Sequence, residues 1–421
     1  MRILWIVNTI FPYPSKVLKI KETVFGGWLI SLLEELVQSN EIKKIGIVSL
    51  YNGRDFKKIE NGKEVYYLLP CKNINKYNNY IEKFMKDINS EFNPNLVHIH
   101  GSEYPHALAF LNACPNTLSV TSIQGLISIC GQKNIYNAGI SDKDLLKSIT
   151  FRDILKRDLL INQYKKFLKR GKYEKEILSK SNYLIGRTTW DKKYSFELSN
   201  NNNYFKCNEN LRKAFYNNSW NINNIERHSI FISQSTYPLK GFHRLLEICP
   251  ILKEKYKDLK IYVAGANITK YDTFKDKIKL SGYGKYIRKL IKKNNLSDNV
   301  IFVGSLKEEE MVNRLLKSNL FLQTSSIENS SNSLGEAMLL GMPIVASNVG
   351  GTSSMIKNNE EGYLYPFTEK NMLASKIIDI FDNYKLAIKM GKEAQKHAMV
   401  THDRKINTKR MIDIYKELIN D

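Results

Sequence analysis

Three features of the sequence predict an α/β protein built from two Rossmann-like domains. Short β-branched runs alternate with helical stretches from end to end, a single polar segment at 217–227 interrupts the alternation, and 421 residues suit two or three domains. In the first half, strands are expected at Ile3–Val7, Lys44–Leu50, Val65–Leu69, Leu96–Ile99, Thr117–Ile123 and Tyr183–Gly186. Helical patterns between them cover Trp28–Val37, Tyr77–Phe92 and His106–Ala113. In the second half, strands are expected at Ser229–Ile232, Leu259–Ala264, Val300–Val303, Leu320–Gln323, Ile344–Ala346 and Gly362–Tyr365. Helices are expected at Phe242–Tyr256, Tyr286–Asn294, Glu309–Ser318, Ser333–Leu340 and Asn371–Asn383. Two more, Tyr384–Val400 and Arg404–Ile419, close the chain after a break at Thr401-His402-Asp403. Two such domains facing one another, with ligand between the carboxyl ends of their strands, are the expected architecture.

Composition narrows the class. A hydrophobic content of 43% with 25% charged residues is that of a globular chain and excludes collagenous or low-complexity types. No run of 18 apolar residues occurs, so no membrane-spanning helix is expected. The opening MRILWIVNTIFPYPS has only Arg2 ahead of a short apolar run and no small-residue cleavage site; it reads as a buried first strand, not a leader. Cys71, Cys114, Cys130, Cys207 and Cys249 are odd in number and widely spaced, which speaks for a reducing cytosol rather than disulfides or zinc. The net charge of +22 points to an anionic partner: nucleic acid, membrane or phosphorylated substrate. A coding bias toward Lys and Asn explains much of the same excess.

The most informative stretch is SSIENSSNSLGEAMLLGMPIVASNVGG, Ser325 to Gly351. Glu328 and Glu336 stand eight apart, and the polar run Asn329–Ser333 offers backbone N–H groups at a helix N-terminus that can seat a phosphate. Glu336, in the first turns, can accept hydrogen bonds from vicinal hydroxyls. Taken singly, Glu328 would be a loop cap and Glu336 a solvated helix residue. The complete run instead resembles the glycosyl transferases group 1, the family-4 type of GT-B enzymes, whose signature is E-x7-E followed by EAM-x-x-G-x-P and a Gly-Gly pair. The resemblance implies that Glu336 holds the donor ribose and that Glu328, Asn332, Ser333 and Leu334 address the donor sugar and phosphates. Asn329 stands where the family usually has Gly, which bears on the choice of donor sugar.

Further motifs extend the resemblance. Lys240-Gly241 lies in the loop where the family places an Arg and a Lys on the donor diphosphate; Lys240 matches, while Gln234 or a neighbour occupies the Arg position. Arg187, in the string IGRTTWD, is the candidate replacement cation, and Thr189 or Asp191 caps the following helix. Gly26-Gly27 matches a turn at which the first domain's backbone meets donor phosphates, although loops are full of glycine pairs. In NLVHIHG, alternation sends His98 and His100 to one face. His98 reads as a satisfied core histidine and His100 as a catalytic or acceptor-side group; Gln124 is a second acceptor-side candidate.

The implied protein is a retaining, metal-independent hexosyltransferase-like enzyme of GT-B fold with no cofactor, the nucleotide sugar being a substrate. Residues 1–222 would be the acceptor-side domain, 223–400 the nucleotide-sugar domain, and 401–421 a helix returning to the first. Lys240 and Glu328, with His100, are the expected catalytic residues, and no side chain is assigned as general base because no obvious carboxylate pair suits a double displacement. Asp142-Lys143-Asp144 spells a metal-binding DxD, but it opens a helix and reads as a cap. Expected partners are a nucleotide-sugar donor, a glycan or lipid-linked acceptor, and no nucleic acid; the expected place is the cytoplasm or the inner membrane face. The segment Lys143 to Lys180, with Lys165, Lys166, Lys169 and Arg170 among interleaved Leu155, Leu159, Ile161, Tyr164, Phe167 and Leu168, reads equally as a membrane-docking face of the first domain or as a solvated basic surface. Two other readings compete: a non-catalytic GT-B subunit, and a basic nucleic-acid-binding protein lacking any helix-turn-helix, RNP or zinc signature.

Overall fold

A computed structural model describes residues 1–23 and 26–420. The chain separates into two compact units, one of Met1–Ile129, Leu168–Leu211 and His402–Asp421, the other of Cys130–Phe167 and Arg212–Thr401. This corrects the expected division in two places. Residues 130–167 leave the first unit for the second, and the second begins at Arg212 rather than after a linker at 222. The polar segment misleads because Trp220 within it is buried, its backbone N–H donating to Leu340 O (2.7 Å) and its indole N–H to Ser318 O (2.8 Å).

Among the described residues the first unit contains an eight-stranded sheet. Its strands are β1 (Arg2–Ile6), β2 (Lys44–Tyr51), β3 (Lys57–Asn61), β4 (Glu64–Pro70), β5 (Leu96–His100), β6 (Ser119–Ser122), β7 (Tyr183–Gly186) and β8 (Tyr204–Lys206). Their order is β3-β4-β2-β1-β5-β6-β7-β8, parallel throughout except for β3, which returns antiparallel on β4. The central strands are buried on both faces, as the unbroken apolar run of β1 requires. The helix Asn79–Phe92 covers one face because Ile81, Met85, Ile88 and Phe92 recur at helical spacing. The closing helix Arg404–Asn420 covers the other, with Met411, Ile414, Tyr415 and Leu418 packed among Ile3, Trp5 and Ile45.

The second unit holds six parallel strands: β9 (Glu226–Ile232), β10 (Lys260–Ala264), β11 (Val300–Gly304), β12 (Ser318–Gln323), β13 (Ile344–Ser347) and β14 (Tyr363–Tyr365). Their order is β11-β10-β9-β12-β13-β14. Each sheet therefore reverses its winding direction once, between β1 and β5 in the first unit and between β9 and β12 in the second. In open α/β sheets, crevices at the carboxyl ends of such strand pairs are where ligands bind. The five cysteines are free, and no helix among the described residues is long and apolar enough to cross a membrane.

Candidate active site

At the β9/β12 reversal the second unit gathers the charged residues that the sequence singled out. Lys240 ends a short 3-10 turn, Pro238–Lys240, after β9, and Glu328 follows β12. They form an ion pair, Nζ to Oε1 at 2.5 Å, with the Ser325 hydroxyl donating to the same oxygen at 2.6 Å. Burial pulls the Lys240 ammonium toward neutrality, but the Glu328 carboxylate outweighs it and holds the lysine charged. Two glycines make this packing possible. A Cβ at Gly241 (φ +65°) would lie 1.8 Å from the Thr324 carbonyl oxygen, and one at Gly350 (φ +53°) 2.0 Å from that of Glu328. The close approach at the Gly350-Gly351 pair is to the backbone of Glu328, whose carbonyl also accepts from the Gly351 N–H (2.9 Å).

The helix Asn332–Leu339 begins beside this pair, one residue before the expected start at Ser333, with Ser331 as its N-cap. Ser233, just past β9, donates to the Ser333 hydroxyl at 3.1 Å, so the end of β9 touches the helix N-terminus. Gln234 is held by a side-chain contact to Thr236 (3.4 Å). Glu336 lies one turn in and is buried. Both its oxygens accept from Arg212, Nε to Oε1 at 2.6 Å and Nη2 to Oε2 at 2.7 Å. Burial pushes this carboxyl up, and the Arg212 guanidinium, itself laid over the Phe215 ring, partly offsets the push. Arg212 was not among the expected site residues. It is 124 positions from Glu336, and no local pattern marks it.

The first unit has its own cluster at the β1/β5 reversal. Gly26 N-caps the helix Gly27–Gln38. His100 ends β5, with its ring 3.7 Å from that of His98 and 4.4 Å from that of Trp5, and neither ring nitrogen has a hydrogen-bond partner. Burial, then the neighbouring His98, holds it neutral. His98 is satisfied on both nitrogens, by the hydroxyls of Tyr415 (2.6 Å) and Ser122 (2.7 Å). Trp28, His100, Gln124, Arg187 and Glu209 line a cavity of about 20 Å³, room for one water. Arg187 is buried in an ion pair with Glu209 and reaches Gln124 Oε1 (3.4 Å), while Gln124 donates to Glu209 (2.7 Å). Arg187 is thus set in the wall of the first unit, whereas the guanidinium beside the second unit's glutamates is Arg212. Thr188, not Thr189, caps the next helix, in a capping box with Asp191.

Two further carboxylates were not anticipated. Glu103 accepts from the Gly125 N–H and from Asn8, both at 3.2 Å, joining the ends of β1, β5 and β6. Glu174 accepts from the backbone N–H groups of Ile127 (2.8 Å) and Ser128 (2.7 Å), and burial raises it from 4.5 to about 7. A raised acid keeps its proton longer in the folded state, so its contribution to stability is complete below about pH 4.5 and is lost as pH rises toward 7. Glu174→Gln is therefore expected to gain on the wild type across that window in thermal denaturation; a constant gap between the two melting temperatures would refute it. The DxD string holds no comparable position, since Asp142 pairs with Lys133 (2.8 Å), Asp144 with Lys289 (3.3 Å), and Ser141 caps the helix.

Two Rossmann-like sheets, each wound outward from one reversal, are the architecture of the GT-B fold. Residues 213–397, 185 of the 421, match the family described as glycosyl transferases group 1. The poly(ribitol-phosphate) alpha-N-acetylglucosaminyltransferase of Staphylococcus aureus (strain COL) is 27% identical over 184 residues, 44% of this chain and 33% of the relative. The chain thus spans about a third of that protein's length. Among solved structures, a sucrose-phosphate synthase from Thermosynechococcus elongatus covers 100% of the chain and 99% of its own at TM-score 0.71 and 16% identity. Anabaena HepE in complex with UDP and glucose covers 98% and 99% at TM-score 0.67 and 13% identity. At such identities the likeness is one of fold.

Proposed function

We propose that the protein transfers a sugar from a nucleotide-sugar donor, a UDP-sugar foremost, to a glycan or lipid-linked acceptor in cell-envelope polysaccharide synthesis. The observation that carries this reading is the Lys240–Glu328 pair beside the N-terminus of helix Asn332–Leu339, at the winding reversal of the family-matched domain. A half-buried ammonium and helix amides are suited to a diphosphate, and Lys240 neutralises the charge that grows on it as the glycosidic bond breaks. Glu336 retains lone pairs beyond those taken by Arg212 and accepts from the ribose hydroxyls. The sugar departs and the acceptor attacks from one face, so configuration is retained. The leaving phosphate takes the acceptor's proton, which needs neither a protein base nor a metal ion. His100 and Gln124 belong to the acceptor side. The bound UDP of Anabaena HepE supports the donor class, and the poly(ribitol-phosphate) in the name of the staphylococcal relative supports an envelope-polymer acceptor. The place of action is the cytoplasmic face of the membrane.

A thermal-shift panel of nucleotides and nucleotide sugars tests the reading. A true donor at a hundred times its Kd should stabilise the protein by about 2.7 kcal/mol, and Glu336→Ala should lose that shift. Turnover with the donor so found should be the same in excess chelator as in magnesium. No shift from any nucleotide sugar would defeat the proposal; loss with chelator, restored by manganese, would defeat its metal independence.

A further inference from the structure

A group of strongly exposed apolar side chains of the second unit shares one surface. Phe151, Ile154 and Leu155, on the helix Phe151–Leu155, are 69%, 61% and 70% exposed, and Phe274, on the helix Phe274–Lys279, is 78% exposed. The two helices pack against one another. Ile278 adds to the apolar surface from the second helix. Soluble proteins rarely leave such a cluster bare without a use for it.

The construction beneath holds these side chains outward. Asp153 is the inward residue of its helix, fully buried and salt-bridged to Arg152 (2.9 Å). The preceding loop is tied down by Lys285, which donates to Ile149 O (2.9 Å), and Thr150 caps the helix. Thr273 and Asp276 close a capping box on the second helix. The apolar face is therefore presented by anchored helices.

Its rim is cationic. Lys147, Lys156, Arg157, Lys275, Lys277 and Lys279 are exposed, and none forms an ion pair among the described residues. Of the nearby acids, Asp158 takes Arg152 and Lys166 and Asp276 is bound by Thr273, while Asp272 is exposed, one acid against six cations. An apolar centre ringed by unpaired lysines and arginines is complementary to a bilayer that offers acyl chains beneath anionic headgroups.

We propose that this face, formed by Phe151–Leu155 and Phe274–Lys279, docks the protein on an anionic lipid bilayer. The proposal deepens the reading of a membrane-side glycosyltransferase by assigning the contact to the family-matched unit. One of the two equal sequence readings put such a contact on the first domain through Lys165, Lys166, Lys169 and Arg170. In the structure Lys166 pairs with Asp158, the Arg170 guanidinium lies over the Tyr104 ring, and Phe167 packs on Tyr136.

Co-sedimentation of the full chain with phosphatidylglycerol-rich vesicles is the test. The wild type should bind at low salt, lose binding as salt is added, and ignore pure phosphatidylcholine. The triple variant Phe151→Ser, Leu155→Ser, Phe274→Ser should bind roughly tenfold or more weakly, with its melting temperature kept because these side chains are solvent-facing. A second variant, with Lys156, Arg157, Lys275 and Lys277 changed to Gln, should lose the salt-sensitive part alone. Failure of the wild type to bind anionic vesicles, or undiminished binding by the triple variant, would overturn the proposal. So would self-association that the triple variant abolishes while the wild type ignores vesicles. Vesicle binding by a protein that no nucleotide sugar stabilises would leave the docking face standing and remove the transferase reading.

Discussion

Alanine in place of Lys240 is expected to lower turnover by about 10²–10³-fold while leaving the fold intact. In the ligand-free protein Lys240 is balanced by Glu328 at 2.5 Å, and an incoming diphosphate competes with that carboxylate for it. As negative charge accumulates on the departing phosphate, the ammonium binds the transition state more strongly than the bound donor, so the loss falls mainly on kcat. Arginine at this place should recover only part of the activity, because a planar fork does not reproduce a point charge in the tight turn beside Gly241. Steady-state kinetics with the donor from the thermal panel checks this. A fall in kcat of less than about fivefold would assign Lys240 to structure alone.

The second large effect concerns Arg212. Its guanidinium is the bidentate partner of Glu336, with side chains 16% and 7% exposed respectively. Removing one member of a buried pair strands the other charge and costs about 3–5 kcal/mol. Arg212→Ala should therefore lower the melting temperature markedly, whereas Arg212→Met combined with Glu336→Gln should recover most of the loss, since neither charge is then left alone. Nucleotide binding should stay impaired in the double variant, separating the structural role of Arg212 from the ligand role of Glu336. If Arg212→Ala unfolds at the wild-type temperature, the pair contributes nothing to stability and its geometry belongs to the ligand-free state only.

What could be read from the sequence follows from how local each signal is. The helix Phe242–Lys255 was visible from its apolar spacing despite Pro250 inside it, and the end of the helix Tyr384–Thr401 from the residues at the break. The strands that lead to Lys240 and Glu328 were legible because buried parallel strands are continuous apolar runs. β3 was not: its residues KKIEN are mostly exposed on a sheet edge, so no burial pattern marks them. β8 is three residues long, too short for any periodicity. The pairing of Arg212 with Glu336, and the passage of residues 130–167 into the second unit, depend on contacts far apart in the chain. Polar composition drew the boundary to 217–227, where a buried tryptophan shows that polar residues can surround a packed anchor.

Tyr415 accepts from the Trp5 indole (3.2 Å) and bonds His98 Nδ1 (2.6 Å), so the last helix supplies part of the wall behind the first two central strands. During synthesis the sheet that emerges from the ribosome first is thus the one completed last. Residues 212–401, which lie within the second unit, have all been translated before Tyr415 exists. A nascent first unit must wait with the part of the sheet face taken by the last helix uncovered, the kind of transient apolar exposure that chaperones recognise. Synthesis of the helix that carries Tyr415, rather than any step within the sheet, sets the earliest moment at which His98, and the neighbouring His100, can take their final positions.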